Sequence, residues 1–242
     1  SHLYVDYHLG LRKTLERIRA KYPDLVIQCC SSGGGRVNYG LMPYFDEFWV
    51  SDNTDAQQRL FIQWGTSMFF PACAMAQHVS ASPNHQTRRV IPLKFRFDVA
   101  MTGRLGMEMK PSDLTEKELA YAKNAVATYK EIRPIIQQGN QYRTLSPYDK
   151  TGYASELYIT DDKSEAIFFS YKFEHYVNQF RPRFHFAGLD PNANYKLTEI
   201  CVEGRTDHWE GRTFAGKFLM QQGIEIALNG LFDSKVIRLK KQ

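Results

Sequence analysis

The stretch from Cys30 to Asp55, CSSGGGRVNYGLMPYFDEFWVSDNTD, limits what this chain can fold into more than any other. Two short apolar runs bracket it, Leu25-Val26-Ile27 before a pair of cysteines and Phe48-Trp49-Val50 before Ser51-Asp52-Asn53. Each has strand length, is rich in β-branched or aromatic residues, and gives way to small polar and acidic residues where a βα loop would begin. The first run does not alternate with polar residues, as expected of a strand covered on both faces. In parallel α/β barrels chemistry collects at the carboxyl ends of the strands. Asp52 therefore stands where a catalytic carboxylate would sit, and Cys30 to Gly35 where a ligand could lie close to backbone.

Around this stretch the first half repeats strand, loop and helix. Tyr7, Leu11, Leu15 and Ile18 fall at helical spacing, with Arg12, Lys13, Arg17 and Arg19 on other faces, so residues 4–21 read as a surface helix ended by Pro23-Asp24. Thr54-x-x-Gln57 reads as a capping box opening a helix through Arg59, Leu60 and Trp64. Residues 67–76 form a third buried run, followed by a long polar loop over 77–85. Residues 95–109 hold a fourth, where Gly103 and Gly106 mark a bend or a close backbone approach. Thr115-x-x-Glu118 opens a long helix with Leu119, Ala122, Val126 and Tyr129 on its inner face; Pro134 kinks or restarts it and Gly139 ends it. This is an α/β pattern with parallel strands. After Pro147 short runs at 157–159, 166–173, 183–187, 195–200, 214–220, 224–228 and 236–239 are split by turn signals, which reads as a small all-β sandwich. The expected division falls between residues 143 and 144.

Composition excludes several classes. With 43% hydrophobic residues in 242 the chain has ample material for a packed core. Lys and Arg outnumber Asp and Glu by 31 to 26, but they are scattered and no groove-reading motif is present, so no nucleic-acid partner is expected. Cysteines 29, 30, 73 and 201 show neither CxxC spacing nor a disulfide framework. Residues 60–87 carry no charged side chain, yet Gln63, Pro71, Gln77, His78 and Asn84 interrupt them, so they read as core and loop rather than as a membrane span. The opening Ser1-His2-Leu3 runs straight into helix and reads as a start inside a larger protein. Compartment, cytoplasmic or periplasmic, is left open.

The candidate residues also carry plainer readings. Asp52 could be a helix-start residue, and Asp55 a first-turn carboxylate favoured by the helix dipole. A calcium loop counted from Asp52 fails, with Ala56 at position 5 and Gln57 where a glycine belongs, so no metal or cofactor is expected. Gly33-Gly34-Gly35 is not followed by Lys-Ser/Thr and is no P-loop; its missing Cβ atoms suit close approach to a hydroxyl-rich ring, or simply a tight turn. Cys30 could touch a ligand or be inert, and Trp49 could be a platform or core. His78 and His85 read as satisfied loop histidines.

The run CSSGGGRVNYGLMPYFDEFWVSDNTDA resembles the acid/base region of the α-galactosidases of glycoside hydrolase family 36. The resemblance continues through HVSASPNHQTRR, RFDVAMTGRLGMEM, YKEIRPIIQQGNQYR, AGLDPNANYKL and GKFLMQQGIEI, nearly the whole chain. It implies the second half of a (β/α)8 TIM-type barrel over residues 1–143, then an all-β antiparallel sandwich domain over 144–242. It implies retaining hydrolysis of terminal α-linked galactose from oligosaccharides, with Asp52 as general acid/base. Cys30, Ser32 and Gly33 would line the galactose site, and Trp49 would border it from the strand before the acid. Family members carry Phe-Asp after GGGR, where this chain has Val37-Asn38. The family's nucleophile, on a strand ending in Lys-Trp-Asp, would lie upstream of residue 1. The chain by itself is therefore expected to be inactive, to have open sheet edges, and to pair with the remaining N-terminal part of the same enzyme in a homo-oligomer. Galactosyl transfer, an N-acetylated galactose substrate, or a non-catalytic sugar-binding or assembly role are the alternatives the resemblance leaves.

Overall fold

The computed structural model describes residues 2–204 and 206–242. Helix α1 (Leu3–Lys21) is a surface helix that buries only Leu15, while Leu3, Tyr4, Val5, Tyr7 and Leu9 are exposed. Strand β1 (Gln28–Cys29) is shorter than the apolar run predicted, and Leu25 and Val26 lie exposed outside it. Among the described residues the sheet ends at β1, with no further strand paired beyond it. The next elements are β2 (Glu47–Trp49), α2 (Ala56–Ser67), β3 (Met75–Ser80), α3 (Leu93–Ala100), β4 (Arg104–Glu108) and α4 (Glu116–Gln138). The four strands pair in parallel in the order β1-β2-β3-β4. Cys29 lies opposite Phe48, Trp49 opposite Ala76, and His78 opposite Gly106.

Two expectations fail here for the same reason. Ser67 ends α2, residues 68–74 are a turn and a single 3-10 turn, and the third strand is instead Met75–Ser80, which takes in Gln77, His78 and Ser80. These polar residues read as loop, but two of them find buried partners: the Thr102 hydroxyl donates to Gln77 Oε1 at 2.9 Å and the Ser80 hydroxyl to the carbonyl of Thr54 at 2.6 Å. Residues 95–100, read as part of the fourth strand-like run over 95–109, instead belong to α3, in which every residue is buried. A helix enclosed on all sides shows no amphipathic stripe. Lys94 and Asp98, both buried within it, satisfy each other at 2.5 Å. Helix α4 has the expected Thr115–Glu118 capping box and runs through Pro134.

Pairing switches from parallel to antiparallel where Gly139 ends α4. Strand β5 (Asn140–Leu145) spans the expected division at residue 143. It is followed by β6 (Tyr153–Ile159), β7 (Glu165–Lys172), β8 (Arg183–Phe184), β9 (Asn194–Ile200), β10 (Thr213–Ala215), α5 (Gly216–Gln221), β11 (Ile224–Glu225) and β12 (Asp233–Lys241). Six strands form an antiparallel sheet, β10-β9-β12-β7-β6-β5, and β8 pairs with β11 beside it. The run 214–220 is thus only briefly strand; Phe214 and Phe218 stack four residues apart and Leu219 is buried, which is helical spacing.

The six-stranded sheet is apolar on both faces. Ala154, Tyr158, Ile167, Phe169 and Tyr171 join a core with α3 and α4. Alternate residues Tyr153, Leu157, Ala166, Phe168 and Ile237 join a second core with Phe184, Phe186, Trp209 and Leu219. Period-two alternation therefore separates two cores rather than core from water. The architecture is a partial barrel backed by a β domain whose sheet serves as the wall between them. Phe169→Ala should cost about 3–5 kcal/mol, against about 0.5–2 kcal/mol for Thr115→Ala at the exposed cap. Urea unfolding of both variants checks the ranking, which a cost for Phe169→Ala below that of the cap variant would reverse.

Candidate active site

Strand β1 ends at Cys29, and the chain turns at once. Ser32 and Gly33 adopt positive φ, +46° and +74°. The Ser31 N–H donates to Gly33 O at 3.1 Å and the Gly35 N–H to Ser31 O at 3.2 Å. A Cβ on Gly33 would stand 2.7 Å from Ser51 Cα and 3.0 Å from Asp52 N, so only glycine lets this turn lie against the turn after β2. The two halves of the stretch that dominates the sequence are thereby in contact. Gly33 is buried beneath that contact, while Cys30, Ser32 and Asp52 are exposed around it. Asn38 holds the descending loop, its side chain donating to Arg36 O at 3.1 Å and accepting from the Leu41 N–H at 3.1 Å. Val37 packs against Cys29, Phe48 and Ala74. Beside the glycines, Gly34, Val37, Val50, Gly65, Phe69 and Phe70 border a hollow of about 320 Å³ that Asp52 does not line.

Asp52 stands just past the carboxyl end of β2. The Trp49 indole Nε1–H donates to its Oδ1 at 3.1 Å. Trp49 is only 7% exposed. The Arg59 guanidinium lies 4.2 Å from the indole centroid and the His78 ring 4.4 Å from it. Gly106 makes room for that imidazole, since a Cβ there would come within 2.3 Å of it. Arg59 also donates from Nη2 to Ser51 O at 2.6 Å. Burial lowers the Arg59 guanidinium to about 10, opposed by the charges of Glu108 and Asp52. Burial likewise pushes the His78 imidazole below its ordinary value, against the pull of Glu108. Below this layer Glu47 accepts from Gln28 Nε2 and Arg104 Nε, each at 2.7 Å.

The turn bearing Asp52 is braced from the β3–α3 loop. Asp55, not Thr54, caps α2, its Oδ1 accepting from the N–H groups of Gln57 and Gln58 at 2.9 and 3.2 Å. Its other oxygen pairs with Arg89 at 2.5 Å and accepts from the Thr87 hydroxyl, and the residue is fully buried. Thr54 is spent on Asn84, whose side-chain amide donates to its hydroxyl at 3.0 Å. The capping-box reading thus misassigned the cap by one residue, because a buried carboxylate with a cation partner outcompetes a hydroxyl. His78, read as a loop residue, is a strand residue stacked on Trp49. His85 is an exposed loop residue. Arg59, Asn84 and Arg89 went unnoticed as site residues, since no spacing rule links them to Asp52.

Among the described residues no group of three or more His, Cys, Asp or Glu gathers as a metal site. No described helix is long and apolar enough to cross a membrane. The Melibiase family model matches residues 2–139, and the model for the glycosyl hydrolase family 36 C-terminal domain matches residues 153–239. Alpha-galactosidase 2 of Hypocrea jecorina is 36% identical over 237 residues, covering 98% of this chain and 30% of its own length. Alpha-galactosidase AgaA of Geobacillus stearothermophilus is 40% identical over 198 residues, covering 82% of this chain and 27% of its own. A crystal structure of a variant of the latter in complex with raffinose superposes with a TM-score of 0.89 at 36% identity, over 98% of this chain and 31% of that one. The chain spans about a third of the length of the curated relatives it matches.

Two outcomes test the geometry. Asp55→Ala removes a cap and strands Arg89, and should cost roughly 2–5 kcal/mol, with Asp55→Asn recovering part of it through the cap alone; equal stabilities for the two variants would contradict this. Burial holds the folded His78 imidazole below its ordinary value, so the unfolded chain takes up the proton first as pH falls. Stability should therefore decline as pH drops through about 6.5 and continue to decline until the folded imidazole also titrates. His78→Gln should flatten that segment of a pH–stability curve.

Proposed function

Because the chain belongs to the melibiase family of glycoside hydrolases and carries a family 36 C-terminal domain, we propose that it is part of a retaining α-galactosidase in which Asp52 is the general acid/base. The observation that carries the reading is the Trp49–Asp52 contact at the strand mouth, against which the glycine turn lies. The indole engages one carboxylate oxygen and so fixes the direction of the other. In the first step the protonated Asp52 gives its proton to the departing glycosidic oxygen, while a second carboxylate attacks the anomeric carbon and the C–O bond breaks. In the second, Asp52 as carboxylate takes a proton from water as the water oxygen displaces that carboxylate. The acid is then protonated again, and galactose leaves with its configuration retained.

The galactose ring would lie against Cys30, Ser32 and Gly33, bordered by Trp49. Oligosaccharides ending in α-linked galactose are the substrate class, supported by the raffinose and stachyose complexes of the Geobacillus relative. No cofactor enters this mechanism. The second carboxylate, the attacking one, would come from a further segment of the same enzyme that completes the barrel beside β1. That segment would cover Leu25, Val26 and the exposed apolar side chains of α1, and a homo-oligomer would enclose the remainder. Residues 1–143 and 144–242 would be its later barrel strands and its C-terminal β domain.

The test is turnover of raffinose by the full-length enzyme and by its Asp52→Asn variant. A fall in kcat/KM of roughly 10²–10⁴ is expected, with product NMR showing the α-anomer first. Near-unchanged turnover in the variant would remove Asp52 from the acid role, and an initial β-anomer would exclude retention.

A further inference from the structure

Arg59 is costly where it stands. It lies 2% exposed in the first turn of α2, the end of a helix that favours anions. Its Nε and Nη1 are buried and meet no hydrogen-bond partner among the described residues. Buried ionic groups are weak contributors to stability, and replacing buried ion pairs by apolar side chains of similar volume is often neutral or stabilising. Two contacts compensate in part: Nη2 on Ser51 O, and the guanidinium over the face of Trp49. Both bear on the same turn. Ser51 is the residue before Asp52, and Trp49 donates to the Asp52 carboxylate.

We propose that Arg59 is a positioning residue for the acid/base, holding the Trp49 indole and the Ser51 carbonyl so that the Asp52 carboxyl keeps one direction. This rests on the acid role given to Asp52 above. Arg59 touches no reacting atom; its effect passes through the indole. The flat guanidinium suits the task better than an ammonium would, because it can lie over the ring while one of its N–H groups reaches the carbonyl. His78 packs against the same indole, so Trp49 is braced by two side chains on α2 and β3.

An acid held out of line matters most where the leaving group most needs its proton. A sugar alkoxide leaving from raffinose depends on it; a nitrophenolate leaves readily without it. The experiment is therefore a ratio of kcat/KM on raffinose to kcat/KM on nitrophenyl α-galactoside, measured for the full-length enzyme with Arg59→Met, Arg59→Lys and Trp49→Phe. Partial misfolding lowers both values equally and leaves the ratio alone. Arg59→Met is expected to lower the ratio about tenfold or more, within the range a positioned acid supplies, with the loss in kcat rather than KM. Trp49→Phe, which keeps a ring but removes the indole N–H, should lower it similarly, and Arg59→Lys should recover only part. An unchanged ratio in Arg59→Met, a loss confined to KM, or a full recovery with lysine overturns the proposal. Should wild-type enzyme cleave neither substrate, the hydrolase reading itself fails; should it cleave both while Asp52→Asn alone lowers the ratio, only the role of Arg59 fails.

Discussion

The buried carboxylate of Asp55 is the interaction on which the site depends. It caps α2, neutralises Arg89 and takes the Thr87 hydroxyl, so it fixes the helix start and ties the β3–α3 loop to it in one place. With α2 starting at Ala56 and β2 ending at Trp49, residues 50–55 must bridge the gap as a tight turn. Asp52 is near the middle of that turn. Thr54 and Asn84 close it from the same loop, and Gly33 closes it from the other side by lying on Ser51 and Asp52. A flexible loop would leave the Asp52 carboxyl free to wander; braces from both sides hold the turn that carries it. Thr54, Asp55 and Asn84, which order the turn, are buried, while the Asp52 carboxyl stays exposed.

Behind the strands the same logic operates at larger scale. Helix α3 is wholly enclosed, between β3 on one side and β12 on the other. The buried Lys94–Asp98 pair within it is completed by the Ser234 hydroxyl of β12, which donates to Asp98 at 2.7 Å. Tyr171 and Tyr158 reach from the β domain to the carbonyls of Asp98 and Thr102. Burial pushes the Asp98 carboxyl up, with Lys94 opposing, so this contact contributes registry more than stability. The β domain is therefore part of the scaffold that holds β3 and β4, and with them His78 and Gly106.

Much of this was legible in the residues, and the exceptions share a cause. The surface helix, the long capped helix, the glycine approach at Gly106 and the change of pattern after α4 all follow from local rules. Sheet order and the contact of the glycine turn with Ser51-Asp52 did not, although the paired motifs placed both at strand ends. Several of the errors fall where burial is deep. Helix α3 has no polar face to betray its period, and β3 carries Gln77 and His78 inside. Asp55 took the cap from Thr54 because Arg89, more than thirty residues away, decides the competition. Arg59 was invisible for the same reason, since its partners are a ring and a carbonyl that only the folded turn brings beside it.

The two faces of the parallel sheet differ in kind, one apolar and one polar and aromatic. On the outer side Cys29, Phe48 and Ala74 pack with Val37, Met42 and Phe45. On the other side the side chains form layers: Gln28, Glu47 and Arg104 in a hydrogen-bonded set, then Trp49 and His78 in contact, then Asp52. A polar layer inside a sheet contributes little net stability, because its hydrogen bonds replace bonds to water. It does set directions, because each group has a partner that fixes its rotamer. The apolar outer face can carry the folding free energy while the inner face grades from structural ion pair, to aromatic support, to exposed acid. That gradient runs along the strands toward their carboxyl ends, with the exposed Asp52 just past them and Glu47, one layer lower, paired with Arg104.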